Sequence, residues 1–383
     1  MITPNVLVMI TPPSPPRLNG IARFAQKHGW HLTLPDRLLH RIDGWRGDGA
    51  LVTLRDDSAQ LAFVQRLRRR GIPVVDLTIV RPEIHLPRVT GDHRKIGHIA
   101  ARHFIDHHFH HLAWFSTDWT NVHRLRYEGL CDVADNPPFR WVFSETAQGR
   151  GADDWRALVK WLGEQFALAP KPLGVVTYDD TDATRVLDVA RHIGLAVPEE
   201  IAILGIGNDT FLCENQTVPI SSVVHDAWGT GYEGASLLSR LMDGDTAPSE
   251  PILIPPKGIV ERSSTDLIAV ADPLLNKAIA YITMHYITMH IGTSFGIAQI
   301  ADELGVTAIR LHRLFAKELH CRVGDEIRRQ RLAKVRLMLE NTDLTIGEIA
   351  DAVGFTHPAH LTNAFKKATG LTPRAHRKRN GSG

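Results

Sequence analysis

The sequence predicts an α/β region of two lobes, each holding a parallel, doubly wound sheet, followed by an all-α region with two helix-turn-helix motifs. Short apolar strands alternate with helical segments of about 10–15 residues over roughly the first 260 residues, which is the pattern of βαβ units. Beyond residue 273 the strand pattern stops and helical periodicity takes over. In that helical region, one motif of two short helices joined by a glycine turn occurs twice.

The α/β region divides into elements in chain order. Strands are expected at residues 5–10, 31–34, 50–52, 73–76, 111–115, 141–143, 174–177, 201–206 and 223–224, with a late strand pair at 251–256 and 258–260. Helices are expected at about residues 18–28, 60–70, 93–107, 124–133, 154–166, 182–192 and 226–242. These strands are more than one doubly wound sheet holds comfortably, so two lobes with a cleft between them account for the chain better.

The helical region carries most of the positive charge. From residue 273 onward the chain has 16 Lys and Arg against 9 Asp and Glu, whereas the preceding residues have 28 against 33. A basic terminal region on an acidic body is typical of a nucleic-acid-binding domain. The same region contains a doubled YITMH segment at residues 281–290, a local duplication to which we assign no function.

Cysteine usage and the absence of targeting signals narrow the class of protein. Three cysteines lie far apart, which argues for a reducing cytoplasm and against a disulfide framework: Cys131, Cys213 and Cys321. No signal peptide and no apolar run near ~20 residues is recognisable, so no membrane association is expected. The histidine-rich segment 107–111 lacks accompanying cysteines or carboxylates, and no catalytic or nucleotide-binding motif is recognisable. We therefore expect no metal, no cofactor and no catalytic residue.

Residues 345–373 contain the more regular of the two repeated motifs. Thr345 and Glu348 have the spacing of a capping box at the start of a short helix. Gly354 can adopt the positive φ of a turn. In the second helix, Leu361, Ala364 and Phe365 are expected to face inward, and His360, Asn363 and Lys367 outward. Two helices joined by a glycine turn, with a polar and basic outer face, describe a helix-turn-helix.

Residues 296–307 repeat the pattern of residues 345–356. The matched positions are Ile297 with Ile346, Ile300 with Ile349, Ala301 with Ala350, Asp302 with Asp351, Gly305 with Gly354 and Thr307 with Thr356. Leu311 and Phe315 then correspond to Leu361 and Phe365 after one inserted residue. A tandem pair is much more specific than a single motif. The alternative is a helical bundle with a duplicated hairpin and no role in DNA binding.

Two family resemblances together cover nearly the whole chain. The paired motifs, ending in FKKATGLTP with Arg377 beyond, resemble the AraC/XylS family of bacterial transcription regulators. Upstream, GIPVVDL, VTGDHRKIGHIAARHF, PLGVVTYDDTDATRVLDVARHIGLAVPEEIAILGIGND and PPKGIVERSSTD resemble the ligand-binding half of LacI/GalR-type regulators, which is periplasmic-binding-protein-like. The order of the two is similar to that of the xylose operon regulator group. The resemblance implies a LacI/GalR-like domain at 1–262, a linker at 263–272 and an AraC-type DNA-binding domain at 273–383, with helix-turn-helix motifs at about 296–317 and 345–368.

The recognition helices supply the candidate DNA-binding residues. Arg313 can pair with a guanine edge and His312 can donate or accept a hydrogen bond, while Asn363 suits adenine. Lys366, Lys367 and Arg377 are expected to bind phosphates. The full set is Ile309, Arg310, His312, Arg313, Lys317, Pro358, Ala359, His360, Asn363, Lys366, Lys367 and Arg377. A helix over residues 325–339 is expected to space the two motifs, so that they enter successive major-groove segments. For each residue the alternative is a solvated surface position.

The candidate ligand-binding residues lie where predicted strands end. They are Arg126, Asp179, Asp180, Asn208 and Asp209, with Trp119 and Tyr178 as stacking faces. Arg126 resembles the family's ligand-facing arginine through its Arg-x-x-Gly pattern with Gly129. In the LacI-like family an Asp that contacts sugar hydroxyls commonly stands at the position of Gly207, so Asn208 or Asp209 is expected to substitute, or the ligand is not the usual pentose. For the Asp pair the alternative is capping of the next helix by Asp180 or Thr181.

The predicted function is a cytoplasmic transcription regulator that binds double-stranded DNA under the control of a small polar ligand, a sugar such as xylose or a related pentose. Its expected partners are a second copy of the chain in a homodimer and, for an activator, RNA polymerase. Two alternatives belong to other classes. One is a carbohydrate-binding sensor whose basic tail docks a protein. The other is a carbohydrate-active enzyme using Asp179 and Asp180, which is disfavoured because adjacent carboxylates rarely flank a scissile bond.

Overall fold

The computed structural model describes residues 3–34, 45–146, 155–267, 272, 274–275, 277–279, 281–282, 295–319, 321–342, 344–369 and 371–380. The chain divides into two units, residues 1–267 and 268–383. The first unit is α/β and the second is helical. Most of the doubled YITMH segment, residue 154 at the start of an expected helix, and residue 273 lie outside the described residues.

The first lobe of the α/β unit is built on a parallel sheet with strand order β2-β1-β3-β4. Its elements are β1 (Asn5–Met9), α1 (Pro15–His28), β2 (His31–Thr33), β3 (Gly49–Val52), α2 (Ser58–Arg69), β4 (Val74–Asp76) and, later in the chain, α8 (Ala227–Met242). Side chains of β1 alternate, with Val6 and Val8 packed on the side of α1 and α8, and Leu7 and Met9 on the side of α2. Burial of both faces explains the continuous apolar run of this strand.

The second lobe carries a six-stranded sheet with order β12-β10-β9-β8-β6-β7, in which β12 runs antiparallel. Its elements are α3 (His93–Asp106), β6 (His111–Ser116), α4 (Asn121–Cys131), β7 (Phe139–Val142), α5 (Trp155–Leu168), β8 (Leu173–Thr177), α6 (Asp180–His192), β9 (Ile201–Ile206), α7 (Thr210–Glu214), β10 (Ser221–Val224) and β12 (Gly258–Val260). The parallel strands end at one edge of this sheet, which is where ligands bind in such folds.

The chain passes back and forth between the lobes. Strands β5 (Val89–Gly91) and β11 (Ile252–Ile254) form a separate two-stranded parallel sheet, and they lead into α3 and β12 respectively. The side-chain amide of Asn121, at the start of α4, donates a 2.7 Å hydrogen bond to the carbonyl oxygen of Ile79 after β4. The segment after the first-lobe sheet therefore contacts the second lobe directly.

Several sequence predictions differ from the structure. The late strand pair is wrong: β11 pairs with β5, and β12 pairs with β10, because the chain changes lobe between β11 and β12. Strand β5 and the short helix α7 were not predicted, since three to five residues carry too little periodicity. Helix α1 begins at Pro15 rather than near Leu18 because proline, which lacks an N–H, is tolerated in the first turn.

The helical unit contains two apolar clusters joined by one long helix. Its elements are α9 (Ile297–Glu303), α10 (Ala308–Glu318), α11 (Val323–Asn341), α12 (Ile346–Ala352), α13 (Pro358–Thr369) and α14 (Pro373–Asn380). Phe315 of α10 centres the first cluster and Phe365 of α13 the second. Helix α11 contributes Ile327 to the first and Leu339 to the second. It is the spacing helix expected over residues 325–339, whereas α14 was not predicted.

Candidate functional sites

A cluster of basic and aromatic side chains lies at the carboxyl ends of the strands of the α/β unit. Each member follows the end of a strand directly or through one loop. The members, called the cleft cluster below, are Arg17, His93, His123, Arg126, Tyr178 and His225. Arg17 lies in the first turn of helix α1 in the first lobe, whereas Arg126 and Tyr178 belong to the second. The cluster therefore has members from both lobes of the α/β unit.

Arg126 is the best-packed member of the cleft cluster, with 5% of its surface exposed. Its Nη1 donates to the carbonyl oxygen of Tyr178, and its Nε donates to Nδ1 of His93 over 3.4 Å. Its guanidinium carbon lies 4.9 Å from the centroid of the Tyr178 ring. The ring of His123 stacks on the same tyrosine at 3.7 Å with an interplanar angle of 18°. Tyr178 is thus held between a guanidinium group and an imidazole.

Each histidine of the cleft cluster is locally oriented. His123 takes the third position of α4, where its Nδ1 accepts a 3.0 Å hydrogen bond from the backbone N–H of Thr120. Nε2 of His93 lies 3.2 Å from the hydroxyl of Thr90 on β5. His225 follows β10 directly, just before Asp226 caps helix α8. The strand ends and helix starts of the α/β fold therefore set the positions of all three imidazoles.

Burial decides the protonation of the cleft cluster. Burial is the main cause that lowers the pKa of His123 to about 3, and the positive charge of Arg126 is the second. Burial is also the main cause that lowers the pKa of His225 to about 3, and the positive charges of Arg126 and Arg17 contribute less. Burial and the same two charges hold the pKa of His93 well below its ordinary value. The three imidazoles are therefore neutral at pH 7. Burial also lowers the pKa of Arg17 and Arg126, but guanidinium groups start high enough to stay charged.

The two helix-turn-helix motifs have the geometry that their sequences predict. Gly305 and Gly354 both adopt positive φ, at 64° and 76°. The backbone N–H of Thr345 donates to Glu348 Oε2 at 2.6 Å, and the backbone N–H of Glu348 donates to Thr345 Oγ1 at 3.2 Å, which completes the capping box. On α10 the Thr307 hydroxyl accepts from the backbone N–H of Arg310. Both turns therefore end one helix and start the next as predicted.

The recognition helices present a polar face over an apolar core. Leu311 and Phe315 of α10, like Leu361 and Phe365 of α13, are fully buried. The exposed positions comprise Ile309, Arg310, His312, Arg313 and Lys317 on α10, with Pro358, Ala359, His360, Asn363, Lys366 and Lys367 on α13. Ile309 is 65% exposed, which is unusual for a large apolar side chain. An exposed apolar residue among basic ones is compatible with contact to a thymine methyl group.

Comparisons with known proteins match both units. A family described as "Periplasmic binding protein-like domain" matches residues 93–265, and one described as "Helix-turn-helix domain" matches residues 300–379. The xylose operon regulatory protein of Escherichia coli (strain K12) is 26% identical over 374 residues, covering 94% of this chain and 92% of the relative. That of Haemophilus influenzae is 25% identical, covering 94% of each chain. The chain therefore combines a periplasmic-binding-protein-like domain with a helix-turn-helix domain, and it is a sugar-responsive DNA-binding transcription regulator.

Solved structures agree with this fold. The solved structure of a xylose-binding transcription activator matches the regulator with a TM-score of 0.62 and 23% sequence identity, and the match covers 99% of both chains. A LacI-family regulator from Enterococcus faecalis V583, solved with bound ribose, matches with a TM-score of 0.55 and 20% identity over 68% of this chain and 98% of the other. At these identities the similarity supports the fold. Among the described helices of the regulator, none has both the length and the apolar character needed to cross a bilayer.

Asp180, Asn208 and Asp209, all predicted to bind the ligand, form hydrogen bonds within the second lobe. Asp180 is 3% exposed, and its carboxylate accepts from the Ser222 hydroxyl at 2.6 Å and from the backbone N–H of Asp209 at 2.7 Å. Oδ1 of Asn208 accepts from Arg262, and Oδ1 of Asp209 caps helix α7. The side chain of Asp180 is therefore engaged within the protein, whereas Asn208 and Asp209 each have one oxygen bonded and remain partly or fully exposed.

Helix α6 is capped by a different residue from the ones that the sequence suggested. Asp179, not Asp180 or Thr181, is the N-cap of α6, and its Oδ1 accepts from the backbone N–H of Asp182 at 2.8 Å. Asp180 also explains the glycine at 207. A Cβ at position 207 would lie 2.8 Å from Asp180 Oδ2, and φ there is +139°. The aspartate common at this position in the LacI-like family therefore has no room in the regulator.

Arg377, predicted to bind phosphate, is half-buried and forms hydrogen bonds within the helical unit. Its Nη2 donates to the carbonyl oxygen of Leu344, and its Nε to that of Leu339 over 3.4 Å. The preceding residue, His376, is buried with its ring 5.3 Å from that of Phe365. Helix α14 was not expected from the sequence, so its role in holding the end of α11 could not be anticipated.

The sequence interpretation missed four members of the cleft cluster: Arg17, His93, His123 and His225. The signal that could have found them is position, since each follows a predicted or observed strand end. Among the predicted stacking faces, Tyr178 is in the cleft cluster. Trp119 lies beside it, 6.2 Å from the His123 ring, and is covered on one face by the Arg140 guanidinium.

Proposed function

We propose that this regulator senses a sugar, with xylose or a related pentose as the first candidates, and changes its DNA binding in response. One observation carries the proposal: a buried polar cluster lies at the strand ends of a two-lobed α/β unit, while two exposed basic recognition helices occupy the other unit. The names of the relatives that match over 94% of this chain support the same reading. We propose a sensor domain at 1–262, a linker at 263–272 and a DNA-binding domain at 273–383, whereas the two compact units divide after residue 267.

Ligand control of DNA binding requires two states of the protein. A sugar bound between the lobes stabilises one arrangement of them, and it affects DNA only if that arrangement also differs in DNA affinity. We propose that the regulator acts as a homodimer in the cytoplasm and reads repeated half-sites. If it activates transcription, its further partner is RNA polymerase.

The exposed faces of α10 and α13 have different proposed tasks. Arg313 reads a guanine edge and Asn363 an adenine edge, whereas Lys366 and Lys367 bind phosphates. We propose no catalytic role for Asp179 and Asp180, because the first caps α6 and the second is buried by hydrogen bonds within the second lobe.

A footprinting experiment tests the proposed function. The purified full chain is incubated with DNA from upstream of its own gene at moderate salt, with and without individual pentoses and hexoses. We expect protection of two adjacent major-groove segments on one face of the duplex, and a change in occupancy with one sugar class. Absence of protection with every ligand tried would refute DNA-binding regulation.

A further inference from the structure

Arg126 of the cleft cluster is buried and Arg17 is half-buried, and both guanidinium groups are charged beside three neutral imidazoles. Because a charge withdrawn from water is costly, such groups normally have carboxylates within hydrogen-bonding distance.

Four carboxylates lie around the cleft cluster, and each has another partner. Asp76 forms a buried ion pair with Arg88, at 3.1 Å. Asp180 accepts from Ser222 and Asp209, as described above. Asp179 caps α6, and Asp226 caps α8 while pairing with Lys257 at 3.1 Å. Asp76 acts electrostatically on Arg17, and Asp179 and Asp180 act on Arg126. Within the described part of the chain, however, no hydrogen bond or ion pair joins any of the four carboxylates to the guanidinium of Arg17 or Arg126.

Two buried polar atoms of the cluster also lack partners. Nε of Arg17 and Nδ1 of His225 are inaccessible to solvent and form no hydrogen bond within the described residues. These two side chains influence each other electrostatically, because the charge of Arg17 lowers the pKa of His225. A buried donor without an acceptor is uncommon in proteins and indicates that a partner is missing.

We propose that the ligand of this regulator carries an oxyanion, as in a sugar acid or a sugar phosphate, and that Arg17 and Arg126 bind that group. The inference rests on the proposed function and narrows its sugar ligand from a neutral pentose to an acidic derivative of such a sugar. Planar guanidinium groups bind carboxylate and phosphate oxygens through paired hydrogen bonds. The neutral imidazoles and Tyr178 are suited to the hydroxyl groups of the same molecule.

Ligand binding to the full chain tests the proposal. Eight tryptophans report on ligand binding, and all of them lie in the sensor unit. The probes are D-xylose, D-xylonate, D-xylose 5-phosphate, D-glucuronate and inorganic phosphate, each at constant ionic strength. We expect at least one acidic sugar to bind tenfold or more tightly than D-xylose, and the carboxylate and phosphate probes distinguish the two sources of the oxyanion.

Variants separate a charge effect from a folding effect. Arg17→Gln should abolish the preference for the acidic sugar, Arg17→Lys should retain part of it, and the exposed Arg23→Gln on the same helix should leave it unchanged. Inorganic phosphate should raise the thermal midpoint of the wild-type sensor but not that of Arg17→Gln. Because the substitution removes an uncompensated charge, Arg17→Gln should not lower the midpoint of the ligand-free chain.

Two outcomes overturn the proposal. One is that D-xylose binds as tightly as every acidic probe, or that none of the acidic probes and phosphate binds. The other is that Arg17→Gln keeps the preference for the acidic sugar. Footprinting distinguishes this failure from that of the proposed function. A DNA footprint that responds to D-xylose alone would support the proposed regulator and refute the anionic ligand. The absence of a footprint with every ligand would refute the proposed regulator itself.

Discussion

At the scale of the residue, we propose that the recognition helices of the regulator separate base reading from phosphate binding. Arg313 of α10 and Lys366 of α13 are both exposed, and both carry one positive charge. Only a guanidinium group has the fork geometry that matches the O6 and N7 acceptors of guanine. A lysine near the carboxyl end of a helix attracts phosphate irrespective of sequence.

Substitution of Arg313 by alanine tests this separation. We expect a loss of ~1–3 kcal/mol in binding free energy and relaxed specificity at one base pair, because a bidentate contact is lost. The measurement is competitive binding to a panel of operators, each with one altered base pair. Lys366→Ala is the matched control, since it should weaken binding to every operator equally and reduce the salt dependence. Identical behaviour of the two variants across the panel would contradict the assignment.

At the scale of the element, the glycine turns decide whether the two motifs form. Gly354 has a φ of +76°, a conformation in which an L side chain is strained, although a Cβ added there would have no atom within 4 Å. Gly324 on the first turn of α11 has equally open surroundings and no positive φ. The two positions therefore differ in backbone conformation and not in available space.

Alanine substitutions at these two glycines should act in opposite directions. Gly354→Ala should destabilise the second motif by about 1 kcal/mol or more, because alanine must adopt positive φ. Gly324→Ala should stabilise α11 by up to about 1 kcal/mol, because alanine favours the helix. Hydrogen exchange of the amides in α12 and α13 measures the first effect, and that of α11 the second. Faster exchange in both variants, or in neither, would contradict the assignment of the two effects to backbone conformation.

At the scale of the whole molecule, the buried histidines link the stability of the sensor to pH. His123 and His225 each have a pKa of about 3 in the folded chain and near 6.5 when unfolded. The unfolded state therefore binds more protons between these values, so stability is fully present above about pH 6.5 and is lost as pH falls toward 3. His93 acts in the same direction.

Urea unfolding followed by tryptophan fluorescence should show this dependence. Between pH 7 and pH 5 the unfolding free energy of the wild-type sensor should fall by about 1.4 kcal/mol per pH unit for each histidine below pH 6.5. His225→Gln should reduce the slope of unfolding free energy against pH by the contribution of one histidine. His110→Gln, at an exposed position, should leave that slope unchanged. Equal slopes in the three proteins would mean that His225 takes up its proton in the folded state.

The tandem motifs and the alternation of strands and helices were predictable because both depend on the spacing of residues that are close in the sequence. The capping box of Thr345 and Glu348, the turn glycines and the buried Phe315 and Phe365 follow from spacing alone. Such features depend on neighbours a few residues away. Comparison with relatives then confirmed the class of protein that these patterns predicted.

The cleft was decided by tertiary structure. Arg17 and His225 are separated by more than 200 residues in the chain, and only the return of α8 onto the first lobe brings them together. Asp180 was predicted to bind the ligand, but in the fold its carboxylate is buried and accepts hydrogen bonds from Ser222 and Asp209. Sequence by itself determined the elements, their order and the DNA-reading motifs, because those rest on local periodicity. Which charges are buried without partners depends on long-range packing, and only the folded chain decides it.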